Sequence, residues 1–459
     1  MKKIIQNIIF VLSILANKLK PKRNIVIVLY ENFNLLDVIS FYQPMLMLAL
    51  KNYHIIFAAK RKGKVYSSHI QSLFANYDIK DINKVDVLFL PGGEKFHHTV
   101  SDNELINWIK NIEKKCNTIV GVDTGVLLLA KAGVLRDEQV SSRKDLTEAL
   151  SELSIKNRND NYSKSGKYYT GKGVSAAIEI AIDYISEKVN QQFAKVVELS
   201  IEYDPEPPFS FQDSLGKEYA IQRDIKGTIR NHKNQLLQRK TIAILLYEGF
   251  TMLDLTGPYQ VFKELYSYGY EIKFVGKQKG RIRSDDMKTS LIAEYSFEEI
   301  EDAYILFIPG SFRAYHTMKD NKTIEWIKKI DKVSTYSTSV CSGSLLYAKA
   351  GLLINRKAST HWYAGKYLSD YKAIYHKKRY TKDEKYITGA GVTSGIDFAL
   401  KFVGELESVE LAKNIQRKIG YFPSSRFNNG SPEKCSKDVI KYASRIFQLV
   451  DKGYIKVKN

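Results

Sequence analysis

One cysteine lies in a turn suited to presenting a nucleophile. Residues 337–340 predict a strand, residues 341–344 predict a sharp turn that begins with Cys341, and residues 345–351 predict a helix. Such a strand–turn–helix unit pushes the side chain of the turn out at the end of a sheet. The amides of the turn and the helix N-terminus favour thiolate over thiol. A buried structural cysteine is the alternative interpretation.

Several groups elsewhere in the same half of the chain are expected to serve Cys341. Asp254 follows the first strand of this half, and its carboxyl group can exchange a proton with a thiol. Gly310 and Ser311 form a turn after a later strand, where backbone N–H groups could hold an oxyanion. His361 lies downstream and is either a base or orienting group, or a packed histidine held by hydrogen bonds.

These groups belong to one of two copies of a repeated unit. Residues 24–37 match residues 241–254, and residues 87–93 match residues 305–311. The offset stays at 217 to 218 residues, as in 254 − 37 = 217 and 341 − 123 = 218. Because the register holds over so long a distance, the pattern indicates a tandem duplication.

The elements of each copy predict an α/β fold. Short β-branched segments alternate with helical ones, which is typical of a mostly parallel sheet with helices on both faces. Ligands of such folds bind at the carboxyl ends of the strands, so the turns at Asp254, Gly310 and Cys341 are expected to meet there. The predicted divisions are an N-terminal segment (1–23), a first domain (24–225), a linker (226–240) and a second domain (241–459).

The first copy has lost the groups that could react. Asp123 stands at the position of the cysteine and Arg143 at that of the histidine, while Asp37 is kept. An aspartate is a far poorer nucleophile toward neutral carbon than a thiolate, and a carboxylate beside Asp37 would raise one of the two pKa values. We therefore expect this copy to act as a scaffold. The alternative is that Asp123 and Arg143 form a different binding site.

Composition restricts the partners and cofactors. The formal net charge of +20 is spread along the 459 residues, which favours a lysine-coated surface over a nucleic-acid site. No helix-turn-helix, zinc-finger or aromatic RNA-binding pattern is present, so no direct nucleic-acid binding is expected. The three cysteines lack short spacings, which argues against a disulfide framework or a cysteine-based zinc site. Neither a metal nor an organic cofactor is expected, and the partner is a small-molecule substrate.

The N-terminal segment, residues 1–23, has a basic start, an apolar stretch and a basic end. Its apolar stretch is too short to span a bilayer comfortably. The segment favours a signal peptide or short anchor, and hence export or membrane association. An amphipathic helix packed on the body of a cytoplasmic protein, or lying on a membrane surface, is the alternative.

Motifs in the second copy resemble the DJ-1/PfpI superfamily, and within it the isonitrile hydratase-like branch. The segments that carry this resemblance are residues 248–262, 340–344, 358–362 and 389–397, with the tail of the first copy at residues 201–209. The likeness covers nearly the whole chain from Asn24 to about Gln448. It implies that each copy has the flavodoxin-like, glutamine-amidotransferase-like fold.

The resemblance also implies roles for the site residues. Cys341 would be the nucleophile and Asp254 its acidic partner. Ser342 stands where isonitrile hydratases generally have threonine, and its amide, with that near Ser311, would stabilise developing negative charge. Ser311 stands where the family usually has glycine, so its side chain could narrow the pocket or tilt an amide.

The implied function is a hydratase- or hydrolase-like enzyme, a lyase, with one active site per chain. Its substrate would be a small electrophilic carbon compound of the isonitrile, aldehyde or amide class. Members of the superfamily are often homodimers, so an intrachain pseudodimer or a homo-oligomer is expected.

A ligand- or redox-sensing protein is the alternative. The same domain resembles the sensor part of AraC-type transcription regulators, and an exposed thiol of low pKa is easily oxidised. No helix-turn-helix follows the domain here, since a single helical tail at residues 437–451 is expected.

Overall fold

The computed structural model describes residues 21–68, 71–135, 139–158, 160–209 and 239–451. Contacts between Cα atoms divide the chain into two compact units, one with the described residues up to Ala194 and one beginning at Lys195. In these ranges no helix combines the length and the apolar character needed to cross a membrane. The predicted anchor lies almost wholly outside the described residues, because only its last residues are described and Arg23 already begins a strand.

The first unit contains one seven-stranded sheet and short two-stranded ones. The strands are β1 (Arg23–Val28), β2 (Tyr53–Ala59), β3 (Gly63–Tyr66), β4 (Ser72–Ala75), β5 (Tyr77–Asp78), β6 (Val85–Leu90), β7 (Cys116–Val122), β8 (Gln139–Ser141), β9 (Lys156–Arg158), β10 (Tyr162–Ser165) and β11 (Tyr168–Gly171). The helices are α1 (Leu35–Met45), α2 (Phe96–Val100), α3 (Asn103–Ile112), α4 (Gly125–Lys131), α5 (Thr147–Glu152) and α6 (Val174–Lys188). The large sheet has the order β10-β11-β7-β6-β1-β2-β5 and is parallel except between β10 and β11.

The second unit repeats this plan after α7 (Gln191–Ser200), the helix in which the division falls. Its strands are β12 (Lys240–Leu245), β13 (Tyr270–Gly276), β14 (Gly280–Arg283), β15 (Ser290–Ala293), β16 (Tyr295–Ser296), β17 (Ile305–Ile308), β18 (Tyr336–Val340), β19 (Lys357–Ala358), β20 (Ile374–Tyr375), β21 (Tyr380–Asp383) and β22 (Tyr386–Gly389). Its helices are α8 (Met252–Phe262), α9 (Ala314–Thr317), α10 (Asn321–Val333), α11 (Ser344–Lys349), α12 (Gly365–Leu368), α13 (Ser394–Leu406), α14 (Val409–Lys418) and α15 (Lys437–Asp451).

The predicted fold class is confirmed in both units. The sheet of the second unit has the order β16-β13-β12-β17-β18-β22-β21, which is that of the first unit read from the other edge. Only β21 and β22 are antiparallel. The central strands are almost continuously apolar because helices cover both faces, as in β17, where every residue is buried. Helices α8 and α13 pack together against this sheet.

The tail of the first repeat belongs to the second unit. This unit begins at Lys195, in α7, so residues 195–209 lie with it and not with the first repeat, to which the sequence assigned them. One hydrogen bond between this tail and the rest of the second unit runs from the Glu206 amide to the Asp397 carboxylate over 3.1 Å. The predicted linker, residues 226–240, lies mostly outside the described residues.

Candidate active site

Cys341 lies in a strained turn at the carboxyl end of β18. Its backbone φ is +56°, and its amide donates to the Ala390 carbonyl over 2.6 Å. A Cβ on Gly343 would lie 2.4 Å from the Ile308 carbonyl oxygen, so the turn requires glycine there. A left-handed conformation at a non-glycine residue costs about 1–3 kcal/mol, which the surrounding structure must offset. The predicted strand–turn–helix unit is confirmed, since α11 begins at Ser344.

The Asp254 carboxyl group and the Cys341 side chain both lie against the backbone of Gly310. A Cβ built on Gly310 would lie 2.5 Å from Asp254 Oδ2 and 2.6 Å from Cys341 Cβ. Asp254 is fully buried in the first turn of α8. Within the described residues, neither of its carboxyl oxygens has a partner of normal hydrogen-bond geometry. The neighbouring thiol is therefore the group with which this carboxyl can exchange a proton.

Burial disfavours ionisation of both members of this pair. Removal from water raises the pKa of Asp254 well above its usual range, and it raises the pKa of the Cys341 thiol as well. The negative charges of Asp254 and Glu202 raise the thiol pKa further, and the Ser342 amide only partly opposes them. The structure thus differs from the exposed, ionised thiol that the turn predicted, because desolvation outweighs the field of the amides.

Ser342 and Ser311 are joined by two hydrogen bonds. The Ser311 amide donates to Ser342 Oγ over 2.8 Å, and the Ser342 hydroxyl donates to the Ser311 carbonyl over 2.7 Å. The Ser311 hydroxyl donates to the Gly249 carbonyl and accepts from the Arg313 amide. The side chain at position 311 therefore links the backbones of Gly249 and Arg313.

Of the two amides expected to hold an oxyanion, that of Ser311 is already engaged. The Gly310 amide faces the Asp254 carboxyl, and the Ser311 amide is held by Ser342. The Ser311 amide therefore serves the shape of the turn, while the oxyanion role predicted for Gly310 stays a prediction. The amide that interacts with the Cys341 sulfur is that of Ser342.

His361 is held by the backbone at both ring nitrogens. The Tyr363 amide donates to Nδ1 over 3.3 Å, and Nε2 lies 3.2 Å from the Ser200 carbonyl oxygen. The first contact requires an unprotonated Nδ1 and the second a proton on Nε2, so the ring is the neutral Nε2–H tautomer. Burial lowers its pKa, in agreement with a neutral ring. The predicted catalytic role of His361 is corrected to an orienting one, because neither nitrogen is available to take a proton.

Sequence reasoning missed a buried carboxylate at this site, that of Glu202. It accepts hydrogen bonds from the amides of Trp362 (2.5 Å) and Gly391 (2.6 Å). Its Oε1 lies 3.8 Å from His361 Nε2, and the residue is 7% exposed. The available signal in the sequence was an asymmetry between the repeats, since Gly420 takes the matching position (420 − 202 = 218).

An aromatic cluster lies beside the site and includes the C-terminal helix α15. The Phe447 ring centroid lies 5.4 Å from that of Phe312, 5.4 Å from His361, 5.8 Å from Trp362 and 5.0 Å from Tyr363. Phe312 belongs to the turn after β17, and the other three belong to the loop after β19. Phe447 is 4% exposed, so α15 gives these two loops an apolar cover.

The chemistry available at this site is proton exchange and addition of sulfur to an electrophile. It combines a thiol, an adjoining carboxyl and a second carboxylate with an apolar cover. In the part of the chain that the structure describes, no group of three or more His, Cys, Asp or Glu side chains is arranged to hold a metal ion.

The first repeat keeps the turn and replaces the reacting groups. Asp123 has the same left-handed backbone as the cysteine, with φ +53°. Arg143 Nη1 lies 3.1 Å from Asp123 Oδ1, and the same guanidinium also binds Asp145. The Gly92 amide donates to Asp37 over 3.0 Å. An ion-paired carboxylate at the nucleophile position supports the prediction that this repeat does not catalyse the cysteine reaction.

Asp123 makes the stability of the first unit depend on pH. Burial, partly offset by Arg143, raises the pKa of Asp123 to about 6. The pKa of an aspartate in the unfolded chain is roughly 4. The contribution of Asp123 to the free energy of unfolding is therefore complete below roughly pH 4, and it is lost as the pH rises through the folded-state pKa. In Asp123→Asn this loss should disappear, and the variant should gain about 2 kcal/mol relative to the wild type between roughly pH 4 and pH 7. Thermal unfolding of the wild type and the variant at both pH values checks this. A difference in stability between the two proteins that is the same at both pH values would contradict it.

Comparisons with known proteins agree on one family. The model of the DJ-1/PfpI family matches residues 23–187 and 240–405. An isonitrile hydratase of Pseudomonas putida is 34% identical over 204 residues, which are 44% of this chain and 88% of that protein. The HTH-type transcriptional regulator CdhR of Pseudomonas aeruginosa is 23% identical over 183 residues, 38% of this chain and 53% of the regulator. The match therefore spans about half the length of the regulator.

Two solved structures are similar to part of the chain. A ThiJ/PfpI family protein from Pseudomonas syringae is 33% identical and covers 47% of this chain and 90% of its own, with a TM-score of 0.43. DJ-1 of Schizosaccharomyces pombe is 18% identical and covers 39% of this chain and 98% of its own, with a TM-score of 0.35. Each covers less than half of the chain, which is the extent of one repeat.

Proposed function

The chain belongs to the DJ-1/PfpI family, and from this premise we propose that it is a cysteine-dependent hydratase with its active site in the second repeat. Cys341 is the nucleophile and Asp254 carries the proton. The substrate is a small uncharged compound with an electrophilic carbon, an isonitrile first of all, since the 34% identical relative is an isonitrile hydratase. The observation that carries the proposal is the buried Cys341–Asp254 pair at a strained turn.

The first step joins sulfur to the substrate. Cys341 Sγ adds to the terminal carbon of the isonitrile and forms a C–S bond. The thiol proton passes to one oxygen of Asp254 while the other oxygen delivers a proton to the same carbon. The product is a thioimidate, R–N=CH–S–Cys341, and no new charge is left in the buried site.

The second step is hydrolysis. Water adds to the thioimidate carbon, the C–S bond breaks, and the thiol of Cys341 recovers its proton through Asp254. The product is the N-substituted formamide, so the overall reaction consumes one isonitrile and one water, with no oxidant or reductant. A carboxyl group that is neutral at rest suits both steps, because each step needs one oxygen to donate and the other to accept.

The charge of the site favours uncharged substrates. Glu202 and Asp254 are buried beside the sulfur, and the imidazole of His361 is neutral. An anionic substrate would have to leave water next to Glu202 without a counter-ion, which costs several kcal/mol (about 2–7 for a polar group and more for an ion). Neutral isonitriles avoid this cost.

The aromatic cluster is expected to bind the apolar substituent of the substrate. Replacing Phe447 by alanine removes the ring that the other four members share. We expect KM for a bulky alkyl isonitrile to rise about tenfold while kcat changes less, because an apolar contact of this kind is worth roughly 1–3 kcal/mol. Steady-state kinetics on methyl and cyclohexyl isonitrile check this. Phe447→Leu is the matched control, and equal KM values in all three proteins would contradict the assignment.

Formamide production from a small isonitrile, followed by NMR with purified protein, tests the proposed function directly. A ligand- or redox-sensing role is the second candidate, favoured by the similarity to the regulator CdhR. It predicts no turnover on isonitriles, aldehydes or amides and rapid oxidation of Cys341 by peroxide.

A further inference from the structure

The tail segment, residues 198–209, is part of the wall around Cys341. Its backbone carbonyls receive hydrogen bonds from the loops of the second repeat. The Trp362 indole donates to the Leu199 carbonyl over 3.2 Å, and the Thr393 amide donates to the Ile201 carbonyl over 3.1 Å. The Ser200 carbonyl holds His361, as described above. The segment is thus bound through main-chain groups, which fixes its register against the site.

Within this segment, the Glu202 side chain occupies a space shaped for it. Its backbone is left-handed, with φ +45°, and its carbonyl accepts from Arg379 Nη1 (2.9 Å) and from the Thr393 hydroxyl (2.6 Å). A Cβ on Gly391 would lie 2.4 Å from Glu202 Cδ and 2.6 Å from its Cγ. Glycine at position 391 is therefore required for the carboxylate to reach the amide beneath it.

The carboxylate of Glu202 ties together two loops that flank the cysteine. One oxygen accepts from the Trp362 amide, in the loop that carries His361, and the other accepts from the Gly391 amide, in the turn before α13. The neighbouring residue Ala390 accepts the amide of Cys341 itself. Glu202 is thus two hydrogen bonds away from the backbone of the nucleophile.

The same carboxylate sets the electrostatic environment of the thiol. The groups that face Cys341 are Asp254 from α8, Tyr247 from the end of β12, and Glu202 from the tail segment. His361 is neutral, and the two groups that bind the Glu202 carboxylate are uncharged amides. The nearest cation is the buried guanidinium of Arg379, which binds the Glu202 carbonyl and is ion-paired with Asp397, so the carboxylate itself forms no ion pair with it.

We propose that Glu202, supplied by the tail of the first repeat, is a positioning residue of the Cys341 site that tethers the Trp362 loop to the Gly391 turn and provides the negative field at the sulfur. Like the cysteine, this carboxylate occurs in only one of the two repeats, since Gly420 replaces it in the second tail. The effect on turnover rests on the proposed function. The effect on the thiol does not.

Two substitutions separate the structural role of Glu202, which holds two loops together, from its electrostatic role at the sulfur. Glu202→Gln removes the charge and presents an NH₂ group to one of the two amides. We expect the pH midpoint of Cys341 alkylation by iodoacetamide to fall by about one unit, and kcat/KM for isonitrile hydration to fall at least about tenfold. Glu202→Asp keeps the charge, but its shorter side chain cannot reach both amides. We expect a similar loss of kcat/KM with the alkylation midpoint nearly unchanged.

Alkylation is read by mass spectrometry of the Cys341 peptide in the full-length protein. Glu206→Gln, an exposed glutamate of the same segment, is the matched control and should leave both readouts at wild-type values. Gly391→Ala, which displaces the Glu202 carboxylate without changing it, should reproduce the loss of kcat/KM. The proposal is overturned if Glu202→Gln matches Glu206→Gln in both readouts.

The two proposals fail in different ways. If the wild type turns over no isonitrile, the proposed function fails, while the alkylation midpoint still decides the role of Glu202. If the wild type is active and Glu202→Gln loses activity with an unchanged midpoint, the field role is wrong and Glu202 is only a structural tether.

Discussion

Replacing Cys341 by alanine is expected to abolish isonitrile hydration, with kcat/KM falling by roughly 10³-fold or more. No other group at the site is expected to form the covalent bond, because a carboxyl group is a far poorer nucleophile than a thiol and the imidazole is engaged at both nitrogens. Alanine removes only Sγ, so the hydrogen bond from the amide of residue 341 to Ala390 is kept. Formamide production measured by NMR checks the result.

The other two cysteines are the controls for this experiment. Cys116 is buried in β7 of the first unit, and burial raises its pKa to about 12. Cys435 is half-buried, and its pKa is raised to about 11. Cys116→Ala and Cys435→Ala should keep wild-type kcat/KM within about twofold. Activity that survives in Cys341→Ala would show that the nucleophile has been assigned to the wrong residue.

Asp254→Asn is expected to lower kcat/KM by roughly 10²- to 10⁴-fold, because an amide of the same shape cannot pass a proton between sulfur and carbon. The thiol should respond in the opposite direction. The charge of Asp254 and its hydrogen bond to the thiol both raise the pKa of Cys341, so their removal lowers that pKa. Alkylation of Cys341 at neutral pH should therefore become faster in the variant that has lost turnover.

The duplication provides a matched control for this variant. Asp37 occupies the same position in the first repeat and accepts a hydrogen bond from the Gly92 amide. Asp37→Asn keeps an acceptor for that amide and should leave kcat/KM and the alkylation profile of Cys341 unchanged. Slower alkylation in Asp254→Asn, or full activity in that variant, would remove Asp254 from the mechanism.

The pH profile of the wild type follows from the same shifts. Burial raises the pKa of Asp254 well above the usual range of a carboxyl group, so its protonated form persists to higher pH than that of an exposed aspartate. Activity should therefore hold through neutral pH and fall on the alkaline side. In contrast, an activated-thiolate enzyme would lose activity on the acid side, as its thiolate takes up a proton.

Much of the fold could be predicted because it depends on local patterns. Continuous apolar segments such as β17 predict buried parallel strands, since both faces of the sheet are covered. The constant offset of the repeats then predicted two copies of one topology, which the strand orders confirm. The turn at Cys341 was equally local, because small residues between a strand and a helix predict an elbow.

Several properties of the site could not be predicted because they depend on contacts between distant segments. The amide of Ser311 is engaged by the Ser342 hydroxyl, and no local pattern indicates which donors are already used. Similarly, His361 became an orienting residue because the Ser200 carbonyl, far away in the chain, holds its second nitrogen.

Local patterns in the amino-acid sequence establish that this chain carries two related α/β units and that only the second retains a cysteine in an elbow with an aspartate to serve it. The tertiary structure sets how strongly ionisation of that cysteine is disfavoured, because desolvation depends on how completely the packed chain excludes water. It also decided that Glu202, 139 positions before Cys341 (341 − 202 = 139), completes the site. The effect of the Glu202 carboxylate on Cys341 depends on the distance between them in space. That distance is set only when the tail of the first repeat packs on the second repeat.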